Sequence, residues 1–316
     1  MADEPEESAL PAPDSVVADG IEPTPLAPGL YLVATPIGNL GDITIRALEV
    51  LRAVDRIACE DTRQTQKLLN HFQIDTPTIS CHQHNERERA AELVQALQSG
   101  QRIAFVTDAG TPGISDPGTW LAREAIAAGV PVIPIPGANA ALSALVASGL
   151  TATAFQFLGF LPEKTGARRT LLEKIAAAPR EVPSTMIFYE APHRILATLA
   201  DLESVFGATL PTVVARELTK IHEEFLRGTV AEIRHNLAAR DRIRGEIVLL
   251  IETPAFNTST ASVSNAHESI SERVTRIQSE NDVDEKEALK RLARELDRSK
   301  SDLYRELQRE RAAKRR

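Results

Sequence analysis

The chain has 316 residues, 43% hydrophobic and 25% charged, enough to bury about two domain cores. No apolar run approaches the ~20 residues of a bilayer span, the acidic start shows no basic-then-apolar leader, and two cysteines (Cys59, Cys81) exclude a disulfide framework, so a soluble cytoplasmic protein is expected. The net charge of −8 is unevenly placed: residues 1–29 hold seven acids and no Lys or Arg, leaving a body at −1 that permits local basic patches without demanding them.

Residues 1–29, acidic and proline-rich, are expected to be disordered. Strands are then predicted at Leu30–Ala34, Asp55–Cys59, Thr78–Cys81, Ile103–Val106 and Val130–Ile135, alternating with helices at Ile43–Ala53, Thr62–Phe72, Glu86–Gln98 and Trp120–Ala128. Asn85 and Glu88 are spaced as a capping box. Pro131 and Pro134 mark the last strand as an edge or an irregular run, and Pro136-Gly137-Ala138-Asn139 turns into an Ala-rich helix ending at Gly149. Such alternation implies a parallel sheet with helices on both faces, over residues 30–150.

A second α/β unit, 151–253, has strands at Phe155–Phe160, Thr185–Tyr189, Pro211–Arg216 and Glu246–Glu252, with helices near Ala167–Ala177, His193–Val205 and Val230–Ala238. Residues 254–267 read as a linker. Residues 268–316 form three short amphipathic helices resembling a helix-turn-helix unit, with a core from Leu289, Leu292, Leu296, Leu303 and Leu307, N-caps at Asp284 and Ser299, and a basic Lys314-Arg315-Arg316 end.

The most informative segment is Asp108-Ala109-Gly110-Thr111-Pro112-Gly113-Ile114-Ser115-Asp116-Pro117-Gly118, between a strand and a helix. Ligands in open α/β sheets bind outside the carboxyl ends of strands, where this loop falls, so it reads as a cofactor wall. The Thr35–Thr44 loop holds Gly38 and Gly41 without a G-x-G-x-x-G spacing, and no Gly-Lys-Ser/Thr phosphate loop occurs, so dinucleotides and nucleoside triphosphates are weakly supported. Asp61 stands either as a helix cap, with Gln64 three residues on, or as a base. Cys81-His82-Gln83-His84 lacks the Cys-x-x-Cys spacing of structural zinc sites, so no metal is expected. Glu190–Arg194 and Arg216–Glu224 crowd charge beside buried strands, as structural ion pairs or as groups that assist deprotonation of a substrate.

Six segments occur in one order: Leu30–Thr44, Glu60–Arg63, Asp108–Gly118, Pro136–Ala140, Phe188–Arg194 and Arg216–Lys220. Together they resemble the tetrapyrrole (corrin/porphyrin) methylase superfamily, and within it the methyltransferases of small-subunit ribosomal RNA. The resemblance spans about residues 29 to 253, and the C-terminal helices also fit. It implies a class III methyltransferase fold of two α/β domains, a homodimer, and S-adenosylmethionine in the interdomain cleft. It implies 2′-O-methylation of cytidine 1402 in 16S rRNA of the small ribosomal subunit. Carried over by position, cofactor contacts fall on Pro36, Ile37, Asp108, Ala109, Gly110, Thr111, Ile114, Ala138, Asn139, Phe188 and Gly245. Porphyrin-modifying members carry Gly-Asp-Pro where Asp108 is here followed by Ala109-Gly110-Thr111-Pro112, which favours the RNA branch over a tetrapyrrole substrate.

A ribose hydroxyl is weakly acidic, so a base or cation should assist it; Lys220 with Glu217 or Asp61 is the expected set. Arg46, Arg63, Arg87, Arg168, Arg169, His193 and Arg194 are expected to position RNA. Aromatics make up only 4% of the chain, which points to recognition by shape, ribose and phosphate more than by stacking. The rival readings are a tetrapyrrole methylase and, outside enzymology, a nucleic-acid-binding regulator acting through the C-terminal helices.

Overall fold

A computed structural model describes residues 26–255, 270–281, 283–295 and 299–313. The predicted acidic tail up to residue 25, most of the predicted linker, Leu296 and the Lys314-Arg315-Arg316 end lie outside the described residues.

The first unit alternates β1 (Gly29–Val33), α1 (Ile45–Ala53), β2 (Arg56–Cys59), α2 (Thr62–His71), β3 (Thr78–Ser80), α3 (Glu86–Gln98), β4 (Arg102–Val106), α4 (Thr119–Ala127), β5 (Val132–Ile135) and α5 (Ala140–Ser148). Its sheet runs β3-β2-β4-β1-β5, all parallel. Both faces are covered: Tyr31, Val33, Ala104 and Val106 enter one core, Leu30, Ile103 and Phe105 the other. That explains the continuous apolar strand runs. β5 lies at the edge, the first of the two alternatives that Pro131 and Pro134 left open. Asn85 does not cap α3; its side chain accepts instead from His82 N at 2.8 Å, a local turn that competes with the helix end.

The second unit comprises β6 (Phe155–Phe160), α6 (Thr165–Ala177), β7 (Ser184–Glu190), α7 (Ile195–Phe206), β8 (Pro211–Arg216), β9 (Glu224–Thr229), α8 (Val230–Ala238) and β10 (Ile247–Thr253), with sheet order β6-β7-β10-β8-β9. Only β6 and β7 pair in parallel; the other pairings are antiparallel. β9 escapes sequence reading because it is a partly exposed edge whose Glu224, Arg227 and Gly228 interrupt the apolar pattern.

α5 belongs to both units. Its Ala141, Ala144 and Leu145 pack against Ile187, Val213, Ala215, Val248 and Leu250 of the second sheet. Alanines let the helix axis come close to the strands, so backbone-proximal atoms make the interface. Arg227 of β9 donates to the carbonyls of Ser148 at 3.2 Å and Ala147 at 2.7 Å, closing the helix's unsatisfied carboxyl end.

Among the described residues of the C-terminal part, α9 (Ile270–Asn281), α10 (Glu285–Glu295) and α11 (Lys300–Ala313) bury a shared cluster including Val274, Ile277, Leu289, Leu292, Leu303 and Leu307. Asp284 and Ser299 accept from Glu287 N and Asp302 N, as their N-cap positions predicted.

One expected RNA-binding residue is overturned by the fold. Arg168 is 2% exposed and its Nε donates to Asp201 at 2.7 Å, with further bonds to the Pro162 and Glu163 carbonyls. Its guanidinium joins α6 to α7 and cannot reach phosphate. Replacing Asp201→Ala leaves that guanidinium buried and uncompensated, and should cost about 3–5 kcal/mol of unfolding free energy. Denaturant titration of the variant checks this; a loss below about 1 kcal/mol would place the pair among weak surface bridges instead.

Candidate active site

The parallel sheet brings the ends of β1, β2, β4 and β5 to one edge, and α5 carries the second sheet over that edge. Between them lies a cleft of about 520 Å³. On one side it is walled by Ile37, Glu60, Asp108–Thr111, Ile114–Asp116 and Asn139. On the other stand Phe160, Tyr189, Leu218 and Glu246–Val248. The size and mixed lining suit a medium-sized polar ligand.

The 108–118 loop is fixed at several points. Thr35 and Gly110 exchange backbone hydrogen bonds at 2.9 and 3.1 Å, tying it to the β1 loop. Thr111 Oγ1 donates to the Ala138 carbonyl at 3.1 Å. Gly118 has a φ of +115°, and a Cβ there would come within 2.8 Å of the Phe105 ring, so only glycine fits. Gly118 has no side chain with which to cap α4. The buried Glu86 of α3 does so from outside, its Oε1 accepting from Gly118 N at 3.0 Å and Leu121 N at 3.1 Å. Sequence reasoning missed this role because Glu86 sits in a run of ordinary surface charge.

Three carboxylates, Glu60, Asp108 and Asp116, line one cleft. Burial raises the pKa of each, and neighbouring carboxylates add to it: Asp108 and Asp61 act on Glu60, Asp61 on Asp108, and Glu60 and Asp108 on Asp116. Asp116 is pushed furthest, from 3.8 to about 6, by burial and then by Glu60 and Asp108. A cation entering the cleft would relieve this repulsion.

At the opposite lip, Lys220 Nζ donates to Glu217 Oε1 at 2.9 Å and to Glu246 Oε2 at 3.0 Å. Burial opposes the ammonium charge, but the two carboxylates outweigh it and hold the lysine above its ordinary 10.5. The bond from Lys220 lowers Glu217 in turn. Lys220 is therefore a fixed cation at neutral pH and not a base. The loop that presents it is strained: Glu217 and Thr219 have φ of 52° and 64°. Two glycines make room for it. A Cβ at Gly38 would meet the Lys220 stem, and one at Gly245 would meet the Glu217 side chain.

Of the expected cofactor residues, Ile37, Asp108, Ala109, Gly110, Thr111, Ile114 and Asn139 line the cleft. Ala138 backs the wall through its carbonyl, Pro36 is buried behind it, and Gly245 accommodates Glu217. Phe188 faces the other way, fully buried in the core between the second sheet and its helices. Alternate β-strand residues face opposite sides, so its neighbour Tyr189 takes the cleft position. A similar one-residue shift applies to Asp61. Its carboxylate caps α2 by accepting from Arg63 N at 2.9 Å and pairs with the Arg63 guanidinium, while Glu60 lines the cleft. Of the arginines expected at RNA, Arg46, Arg63, Arg87 and Arg169 are exposed, as is His193. Arg194 is largely buried against Glu190 and the Leu161 carbonyl. Tyr189 and Glu246 are additions from the structure, whereas Asp116 belongs to the Gly/Pro loop that the sequence already marks as a ligand wall.

The model of the tetrapyrrole (corrin/porphyrin) methylases matches residues 29–234. A relative from Synechocystis, named ribosomal RNA small subunit methyltransferase I, is 58% identical over 201 residues, covering 64% of this chain and 71% of its own. A relative of the same name from Halalkalibacterium halodurans is 52% identical over 223 residues, covering 71% and 75%. Among solved structures, uroporphyrin-III C-methyl transferase from Thermus thermophilus, complexed with S-adenyl homocysteine, is similar in fold. Its TM-score is 0.50 at 16% identity, over 71% of this chain and 96% of that one.

Asp116 gives the cleft a pH signature. Its carboxyl titrates at about 6 folded and 3.8 as an ordinary group, so ionised Asp116 costs stability. That cost is absent below about pH 3.8, grows through pH 6 and is complete above it. Asp116→Asn should therefore melt above the parent at pH 8, with the gap closing as the pH falls towards 4.5. Calorimetry across that range checks it; an equal gap at every pH would mean that burial and repulsion do not raise the Asp116 carboxyl in the folded protein.

Proposed function

The chain belongs to the tetrapyrrole (corrin/porphyrin) methylase family, and from that premise we propose that it methylates the 2′-hydroxyl of cytidine 1402 in 16S rRNA of the small ribosomal subunit. The methyl donor in this reading is S-adenosylmethionine. The carrying observation is the pairing of an acid-walled cleft with a pinned ammonium at its opposite lip. The relatives' names supply the substrate class, and the Asp-Ala-Gly-Thr-Pro order of the loop supports the RNA branch.

The chemistry divides between the two lips. S-adenosylmethionine carries a sulfonium, which Glu60, Asp108 and Asp116 favour electrostatically over the neutral sulfide product. That preference acts on the ground state and so appears in KM. As the ribose oxygen attacks, its O–CH3 bond forms while the S–CH3 bond breaks, and the hydroxyl proton passes to a cleft carboxylate. Asp116, titrating at about 6, is the acceptor nearest neutrality. Lys220 stabilises the negative charge developing on oxygen, which acts on the transition state and appears in kcat. Arg46, Arg63, Arg87, Arg169 and His193 are exposed to steer phosphate.

The reading places the protein in the cytoplasm with the ribosome; no helix among the described residues is long and apolar enough to cross a membrane. It also includes a homodimer, supported by exposed apolar side chains Leu142 and Val146 on α5 and Phe155 and Phe160 on β6.

Small ribosomal subunits lacking the modification should accept labelled methyl from S-adenosylmethionine, and a porphyrin precursor should not. The reverse outcome would make the protein a tetrapyrrole methylase. Lys220→Ala should lower kcat by about 100-fold with little change in donor affinity, and Asp108→Asn should chiefly raise KM for the donor. Steady-state kinetics on the two variants read that split, and exchanged effects would reverse the assigned roles.

A further inference from the structure

Immediately behind the cofactor loop lies a cluster that the cleft does not use. Trp120, the only tryptophan in the chain, stands in the first turn of α4, two residues after Gly118. The Arg87 guanidinium lies 4.8 Å from its ring centroid and that of Arg123 lies 5.6 Å away. Both arginines are exposed, and among the described residues neither guanidinium makes an ion pair or hydrogen bond. Trp120 is half-buried, its inner part against the apolar cluster of Leu93, Phe105 and Leu121.

The carboxylate that caps α4 also makes this cluster rigid. Glu86, next to Arg87, turns inward and holds Gly118 N and Leu121 N. The same bonds that seat the cofactor loop therefore fix α3 against α4 and bring Arg87 over the indole. Trp120 lies four positions after Asp116 of the cleft wall, at most about 14 Å of chain. A nucleic acid whose ribose reaches the cleft would have neighbouring nucleotides within reach of this cluster.

On the premise of the RNA substrate proposed for the cleft, we propose that Arg87, Trp120 and Arg123 form a stacking clamp for an unpaired base flanking the target nucleotide. The base takes the place of one guanidinium on the indole, and the freed guanidinium pairs with the adjoining phosphate. The exchange is favourable because a base–aromatic stack is stronger than an exposed cation–π pair. Two unpaired guanidiniums supply charge complementarity to the backbone. This adds one base stack to a recognition mode that the low aromatic content assigned to shape, ribose and phosphate more than to stacking.

The single tryptophan makes the clamp directly observable. The full chain, saturated with S-adenosylmethionine, is excited at the red edge of indole absorption and titrated with a short RNA of the decoding region. A labelled copy of that RNA reports total binding by anisotropy. RNA binding should quench Trp120, whereas inorganic polyphosphate of matched charge should not. Trp120→Ala should weaken RNA binding about 10-fold and Trp120→Phe much less, with donor affinity unchanged in both. Removing both charges by Arg87→Gln and Arg123→Gln should flatten the salt dependence of RNA binding by about 0.7 in logarithmic slope for each phosphate that no longer has a cationic partner. RNA binding without quenching, and unaffected by Trp120→Ala, would overturn the clamp and leave the methyltransferase reading intact. Absence of RNA binding together with absence of methyl transfer would overturn both.

Discussion

One helix holds the site together. α5 leaves the first sheet at Asn139, in the cleft wall, and lays its alanines on the second sheet, so two separately built α/β units share one core. The cleft is the space left at the amino end of that interface. Its width is set by small side chains at Ala141 and Ala144, because larger ones would lift the second sheet from the first. Arg227 fixes the far end of the helix, and Asn139 caps the near end by accepting from Leu142 N at 3.0 Å. The two lips keep their separation only while this helix stays seated.

Charge is then sorted across the cleft. The loops of the parallel sheet contribute carboxylates that burial makes unwilling to ionise, and the second unit contributes an ammonium that carboxylates hold charged. Both sides shift upward, which disfavours charge on the carboxylates and favours it on the lysine, and perturbed groups gathered at one cleft point to a functional site. Each side has its own cause of strain: Ser115 has a φ of 63° in the first loop, and Glu217 and Thr219 are left-handed in the second. Backbone strain at both lips, with none of these residues glycine, fits a site held open by its surroundings.

Much of the architecture could be read from the residues. Helix–strand alternation dictated the parallel sheet, the prolines of β5 pointed to its edge, and the Gly/Pro loop after β4 marked what the structure shows as a cleft wall. What failed did so for physical reasons. Phe188 and Tyr189 differ by one position in a strand buried on both faces, and apolarity alone does not say which of them points into a cleft. Arg168 and Arg87 look alike as sequence, yet one is buried on Asp201 and the other lies exposed over an indole. Glu86 gave no signal because its partners are backbone groups 32 and 35 residues away. Long-range pairing decides the fate of a charge, and local pattern does not record it.

Mass spectrometry of 16S rRNA from cells lacking the protein decides whether it acts at the proposed nucleotide. The ribose of cytidine 1402 should lose its methyl group and regain it when the intact gene, but not a Lys220→Ala version, is restored. A methylation state at that nucleotide unchanged by the loss of the protein would contradict the proposed activity.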